Sequence, residues 1–297
     1  MSDWLKILQT CGTCTENEPL SGHTTLGVGG PARWFFRPDN QDALCAAMLC
    51  IPADIPLLPL GRGSNLLPPD SGFPGVVLDL SSLNHIQVNG TILSAECGVR
   101  MSRVSRICAD HGLTGLEFMA TVPGDIGGGV AMNAGAFGQQ IADCLTRIHV
   151  VRRDGEKQEL QAAELEMAYR HTSLPYGSLV VSAEFHLQED DGETVRQRIR
   201  QMRTTRGRTQ PLELPNCGSV FKNPDGDHAA RLIEAAGLKG HRIGGASISA
   251  KHANFIVNED SASSSDVLAL IQLAQKTVEK KFGVRLEPEV RMLGEPA

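Results

Sequence analysis

The stretch Val122–Gly138, VPGDIGGGVAMNAGAFG, holds so many glycines around a single proline that an ordinary core helix or strand is a poor account of it. Glycine loses the most conformational entropy on folding, so a cluster is kept where the chain needs positive φ or where a ligand must touch bare backbone. Amides exposed in such a loop form concave nests suited to phosphate or another electron-rich group. A second loop of the same character, Gly61–Leu67 (GRGSNLL), follows the apolar run Ile55–Leu60. Two such loops, far apart in the chain, point to one large dinucleotide held from two sides.

Neither loop is the Rossmann fingerprint, which needs G-x-G-x-x-G opening a helix directly after a strand and an acidic residue about 20 positions on. GRGSNLL lacks the third glycine, and Pro68, Pro69 and Pro74 disfavour a helix behind it. A Walker loop is excluded because neither stretch contains G-K-[ST].

At 297 residues the chain has room for two or three domains. A net charge of -6 argues against a nucleic-acid partner, whose binding domain would be basic. The eight cysteines follow no framework spacing and read as reduced thiols of a cytoplasmic protein. Cys11 and Cys14 form a C-x-x-C pair, but no second pair follows at zinc-site spacing, so no metal site is expected. The amino terminus lacks a signal-peptide pattern, and no run approaches the roughly 18 to 20 apolar residues of a membrane span.

Along the chain, Asn40–Cys50 reads as a capped helix and Ile55–Leu60 as a strand. Three strand-like runs follow between Gly75 and Val99, with Asn89-Gly90 as a hairpin signal. Met101, Val104, Ile107 and Cys108 recur at helical spacing up to Gly112. Ile148–Arg152 and Leu179–Leu187 are further strands, and this mostly antiparallel pattern with an inserted helix predicts an α+β domain. Val195, Ile199 and Met202 mark an amphipathic helix with a solvated arginine face; Arg206 and Arg208 lie past its apolar stripe. The last third ends in a helix whose face is Val267, Leu270, Ile271, Ala274, Val278 and Phe282, with serine caps at 263–265 and Gly283 as its stop. This implies a second, α/β domain.

Three places can carry chemistry. In Asn216–Pro224 (NCGSVFKNP), Ser219 could be a nucleophile, although G-x-S-x-G is absent; it could instead donate a proton to a carbon that becomes strongly basic. Arg170, beside Tyr169, could pair bidentately with a carboxylate. Glu287 and Glu289, in the EPEVR run, could pair with such an arginine or relay a proton. Judged singly, a surface ion pair for Arg170 and an exposed edge for the glutamates are the simpler readings.

These segments, with HTTLGVGGPA, RGRTQPL, LIEAAGLKGHRIGGASIS, KHANFIVN and LEPEVR, resemble the UDP-N-acetylenolpyruvoylglucosamine reductases over nearly the whole chain. The resemblance implies a two-part FAD-binding module of the PCMH, or vanillyl-alcohol-oxidase, type and a C-terminal α/β substrate-binding domain. Residues 1–68 with 290–297 would form the first FAD subdomain, 69–190 the second, and 205–289 the UDP-sugar domain. Gly61, Arg62, Gly63, Ser64 and Asn65 match one FAD loop; Pro123, Gly124, Gly128, Asn133, Gly135 and Gly138 match the other; Arg206 and Gln210 match positions near the flavin.

The implied reaction is reduction of FAD by NADPH, then hydride transfer to C3 of UDP-N-acetylglucosamine enolpyruvate, giving UDP-N-acetylmuramate for peptidoglycan. It makes Ser219 the proton donor to C2, with Arg170 and Glu289 stabilising the charged intermediate. Lys222, Asn223, Lys251 and Asn254 are candidate substrate contacts. The short interval between Arg170 and Ser219 resembles the type II members, and the expected enzyme is a cytoplasmic monomer. Asp125 and Gly129 depart from the small residues often found there, Cys217 from alanine and Arg208 from serine. The rivals are another FAD oxidase or dehydrogenase of this fold and a non-catalytic flavin- or nucleotide-sugar-binding module; NCGSVFKNP and LEPEVR together favour the reductase.

Overall fold

Leu145–Val151 and Leu179–His186 are rich in β-branched residues and lie side by side in a five-stranded antiparallel sheet. Its order is Lys157–Gln161, Leu145–Val151, Leu179–His186, Ile92–Glu96, Ile86–Asn89. The Asn89-Gly90 signal is a tight hairpin: Asn89 faces Ile92, and Gly90 takes φ 58°. The computed structural model describes residues 3–293. Backbone contacts divide the chain into one unit of Met1–Glu16, Trp34–Arg62 and Gly75–Thr205 and another of Asn17–Arg33, Gly63–Pro74 and Arg206–Ala297. The 1–68 segment therefore contributes to both, and 294–297, expected to return to the first FAD subdomain, lie outside the described residues.

In the first unit, helix α1 (Asp3–Cys11) and helix α2 (Gln41–Cys50) pack on one another and on Trp34, Phe36, Val76 and Leu78. Asn40 caps α2 by accepting the Ala43 amide at 2.9 Å, as its residue type predicts. A second sheet has the order Gly12–Pro19, Pro31–Pro38, Phe73–Asp79, Leu57–Leu60, with the last two strands parallel. Cys11 ends α1 and Cys14 lies in the next strand; both are half-buried against this core, so the C-x-x-C pair belongs to packed structure. All eight cysteines are unbridged, and no metal-ligating cluster occurs among the described residues.

Helix α3 (Met101–Asp110) buries Met101, Val104 and Cys108 against the five-stranded sheet's core and stops at Gly112, φ 64°. The glycine stretch contains helix α4 (Ile126–Ala131), and helix α5 (Gly192–Thr209) runs on through Arg206 and Arg208, beyond its apolar stripe. Arg196, Arg198 and Arg200 meet acids: Arg198 contacts Asp190 at 2.6 Å and the buried Glu117 at 3.2 Å. No helix among the described residues is long and apolar enough to cross a membrane.

The second unit packs helix α6 (Ala229–Ala235) and helix α7 (Ser264–Phe282) around the sheet Arg242–Ile243, Ala246–Ile248, Ile256–Asn258. α7 buries Val267, Leu270, Ile271, Ala274 and Val278, the stripe read from sequence except for Phe282, which is exposed. Its first turn is held twice. Ser263 and Asp266 form a capping box with both bonds at 3.0 Å, while Asp70 accepts the amides of Ser264 and Ser265 at 2.8 and 2.9 Å. Ser263→Ala should lower stability by about 1 kcal/mol in urea denaturation; an unchanged midpoint would mean that the remaining contacts hold the turn without the serine.

Candidate functional site

In the first unit the chain enters α4 through Gly124, φ 134°, and Asp125, whose following amides, Ile126 and Gly127, donate to Val99 and Cys97 carbonyls at 2.9 Å. A Cβ on Gly127 would lie 2.9 Å from the Cys97 Cβ, and one on Gly129 2.9 Å from the Met101 sulfur. These glycines let the short helix press into the core, which is why a helix forms in a stretch whose composition argued against one. Gly128, between them, is exposed, and a Cβ there would meet nothing within 4 Å. One face is thus packed and the other is bare backbone open to a ligand.

Beyond α4, Gly135–Ala136 pairs with Gln139–Gln140 across the turn Phe137-Gly138, whose φ values of 55° and 79° are those of a type I′ hairpin. Phe137 is a costly residue for that turn and is 46% exposed. Asn133, also at positive φ, is fully engaged: it donates to Gln140 Oε1 and the Ala168 carbonyl and accepts the Ala142 amide. Its side chain therefore shapes the loop, leaving the backbone as its means of meeting a cofactor. Arg170 occupies the tip of the Met167–Ala168/His171–Thr172 hairpin at φ 58°. Its guanidinium donates to the Gly135 carbonyl at 3.1 Å and lies 5.0 Å from the Tyr169 ring centroid. The arginine and the second glycine loop are so joined within one unit.

In the second unit the remainder of GRGSNLL lies against the chain end. Gly63, φ 59°, is so close to the His23 carbonyl that a Cβ would stand 2.3 Å from it. Asn65 donates to the Glu289 carbonyl at 3.0 Å and accepts the Arg291 amide at 3.0 Å. Glu289 in turn donates its amide to Val220 at 2.8 Å, and Phe221 bridges Pro288. Ser219 and Glu289, seventy positions apart in sequence, therefore lie on adjoining segments. Gly218, φ 77°, makes the turn before the serine, with its amide held by Asn216 Oδ1 at 2.9 Å.

Asn254 is the residue whose role the sequence least revealed. It is 4% exposed; its Oδ1 accepts the Phe221 amide at 2.9 Å, its Nδ2 donates to the Phe221 carbonyl at 2.8 Å, and its own carbonyl takes the Val220 amide. The side chain clamps the segment that carries the serine. Asn223 caps the segment before α6 by accepting the Ala229 amide at 3.1 Å. Lys222 pairs with Glu287 at 2.5 Å and its amide donates to the Glu287 carbonyl at 2.9 Å, while Glu289 bonds Val220, the residue after the serine. Lys251 donates to the Gly207 carbonyl at 2.8 Å and lies 3.6 Å from Glu213. Burial pushes the Cys217 thiol up to about 12, with the Glu289 carboxylate adding to the rise, so Cys217 is an inert packing residue.

Each unit also holds buried acceptors that the protein does not satisfy. Asp125 Oδ1 and Gln139 Oε1 in the first unit, and Gln210 Oε1 in the second, are buried without a hydrogen-bond partner among the described residues. Buried polar atoms are ordinarily paired. Acceptors in need of donors, beside bare glycine backbone, fit a flavin dinucleotide, which carries ribityl and ribose hydroxyls and an imide N–H. Burial also pulls the Arg206 guanidinium down to about 10, the mark of a cation withdrawn from water.

Residues 32–161 match the FAD binding domain model, and residues 210–293 match the UDP-N-acetylenolpyruvoylglucosamine reductase C-terminal domain. The UDP-N-acetylenolpyruvoylglucosamine reductase of Methylococcus capsulatus is 45% identical over 96% of this chain and 94% of its own length. The crystal structure of the reductase (MurB) from Thermus caldophilus aligns with a TM-score of 0.82 at 34% identity, covering 95% of this chain and 98% of that one. A berberine bridge enzyme variant in complex with (S)-reticuline shares the fold alone: its TM-score is 0.50 at 14% identity, over 64% of this chain and 43% of that one. With a PCMH-type FAD module and this C-terminal domain in one α+β chain, the protein belongs to the UDP-N-acetylenolpyruvoylglucosamine reductase family.

Proposed function

We propose that the chain reduces UDP-N-acetylglucosamine enolpyruvate to UDP-N-acetylmuramate, with NADPH as electron donor and FAD as cofactor, in peptidoglycan precursor synthesis. It does so as a cytoplasmic monomer without a nucleic-acid partner. The observation that carries this reading is the joining of the segments that hold Ser219 and Glu289 through Val220. When bound, the flavin supplies hydride chemistry, taking two electrons from NADPH and giving them to the enolpyruvyl double bond.

The protein must do the rest. Saturating that double bond requires a proton at C2 beside the hydride at C3, and Ser219 holds it on Oγ. A serine hydroxyl is a weak acid, and it can donate here because charge developing at C2 makes that carbon strongly basic. The planar guanidinium of Arg170 pairs with the substrate carboxylate into which that charge spreads. Glu289 works beside the serine, oriented by the Asn65 contact on its carbonyl and the Val220 contact on its amide. Gly61, Arg62, Gly63, Ser64 and Asn65, with Pro123, Gly124, Gly128, Asn133, Gly135 and Gly138, hold the dinucleotide, and Arg206 and Gln210 lie near the flavin. Lys222, Asn223 and Lys251 take the UDP-sugar, and Asn254 supports it by fixing the segment that carries the serine. In functional terms the divisions are 1–68 with 290–297, 69–190 and 205–289.

The test is the visible absorption of the protein, reduced anaerobically with NADPH and then mixed with the enolpyruvyl substrate. The oxidised-flavin band should bleach and return on mixing. A band that returns only in air would replace this reading with an oxidase of the same fold.

A further inference from the structure

Asp125 is 5% exposed, yet its Oδ1 has no hydrogen-bond partner among the described residues. It adjoins both glycine loops within the first unit. A Cβ on Gly61 would lie 2.8 Å from its Oδ2, and the neighbouring Arg62 backbone amide favours the ionised carboxyl. Its own backbone bridges Arg100. The charged and titratable groups facing it are Arg62, Arg100, Asp79 and the Cys97 thiol, which burial pushes up to about 12. None of these gives Oδ1 a hydrogen bond.

We infer that Asp125 is a cofactor-positioning residue: one carboxyl oxygen fixes the first glycine loop against the second, and the other accepts a hydrogen bond from a hydroxyl of the bound flavin dinucleotide. This rests on the FAD-dependent reading above and goes beyond it, because a carboxylate at this position makes cofactor affinity depend on protonation. Burial pushes Asp125 up to about 6, against the pull of Arg62 and Arg100. A hydroxyl donor favours the ionised carboxylate, so flavin binding lowers the pKa and releases a proton. Affinity must then fall as pH drops through about 6. Were the partner a phosphate oxygen instead, the protonated carboxyl would be favoured and affinity would rise on acidification.

The experiment is FAD dissociation from the holoprotein between pH 8 and pH 5, followed by flavin fluorescence, for the wild type, Asp125→Asn and Asp125→Ser. In the wild type Kd should rise below pH 6 towards a limiting slope of about tenfold per pH unit, and both variants should lack that step. A wild-type slope retained in Asp125→Asn, or affinity that tightens in acid, overturns the assignment; a wild-type protein that binds no FAD at any pH overturns the FAD reading with it. A second measurement guards against a variant that only folds poorly. Gly61→Ala should lower the melting temperature of flavin-free protein by a few degrees when Asp125 is present and not in the Asp125→Ser background. Equal losses in both backgrounds would show that the carboxyl does not press on the loop.

Discussion

Ser219→Ala leaves the reduction of bound flavin by NADPH at its wild-type rate and slows reoxidation by the enolpyruvyl substrate between about a hundredfold and ten-thousandfold, the range of a lost general acid. The asymmetry follows from where the proton is needed. Only the second half-reaction places a proton on carbon; the first moves electrons between two dinucleotides and has no use for a hydroxyl on the Gly218 turn. Anaerobic stopped-flow absorption at the flavin band separates the two rates. Equal loss in both would mean that the substitution disturbs the flavin rather than removing a proton, and the assignment to Ser219 would fall. Cys217, two residues away, cannot stand in, because its buried thiol is held at about 12 and packs in the core.

Asn254→Ala has the largest expected effect on stability. It strips both the amide and the carbonyl of Phe221 of their partners in a buried segment and leaves a space where the side chain stood. An unpaired buried polar group costs about 1–3 kcal/mol, so two of them should cost about 4 kcal/mol, visible as an earlier urea midpoint. Activity should fall further than the folded fraction does, since the same segment carries Ser219. A loss below about 1 kcal/mol would show that water replaces the side chain at little cost and that the clamp does not set the serine. Asp125→Asn has the opposite sign in flavin-free protein. A carboxyl whose pKa is raised by the fold is destabilising when ionised, so the wild type should gain stability as pH falls from 7 through about 6 towards the ordinary aspartate range. The amide variant should already have that gain at pH 7, on the order of 2–3 kcal/mol.

Elements with a local cause were readable from sequence. Asn40 caps α2, Gly112 and Gly283 stop their helices, Asn89-Gly90 turns a hairpin, and Ser263 caps α7, each because a side chain or a positive φ acts within a few residues. α4 was not readable, since its two inward glycines look like loop residues until Cys97 and Met101 are seen to leave no space for a Cβ. Nor was the C-terminal reach of α5, whose last turn has no apolar stripe to announce it. For Ser219 and Glu289 the residue types suggested chemistry and the spacing could not join them. The adjacency of their segments depends on a backbone bond at Val220 and on a clamp from Asn254, and neither leaves a pattern along the chain. Asp125 gave one signal, a charged residue amid glycines, but the meaning of that charge lies in Gly61, sixty-four positions earlier.

The chain passes from one unit to the other after Glu16, Arg33, Arg62, Pro74 and Thr205, and the core around α7 includes Leu26, Val28 and Leu67 from the first quarter of the sequence. The C-terminal match at residues 210–293 is accordingly not a cassette. A gene fragment encoding it alone would lack three of its own buried residues and the Asp70 that holds the start of its longest helix. On the ribosome, residues 17–33 and 63–74 can bond each other early, but Leu26, Val28 and Leu67 must wait for the last third of the chain before their core exists. Recombination within this family would therefore have to exchange the whole reading frame, or several short pieces at once, to move one substrate specificity into another scaffold.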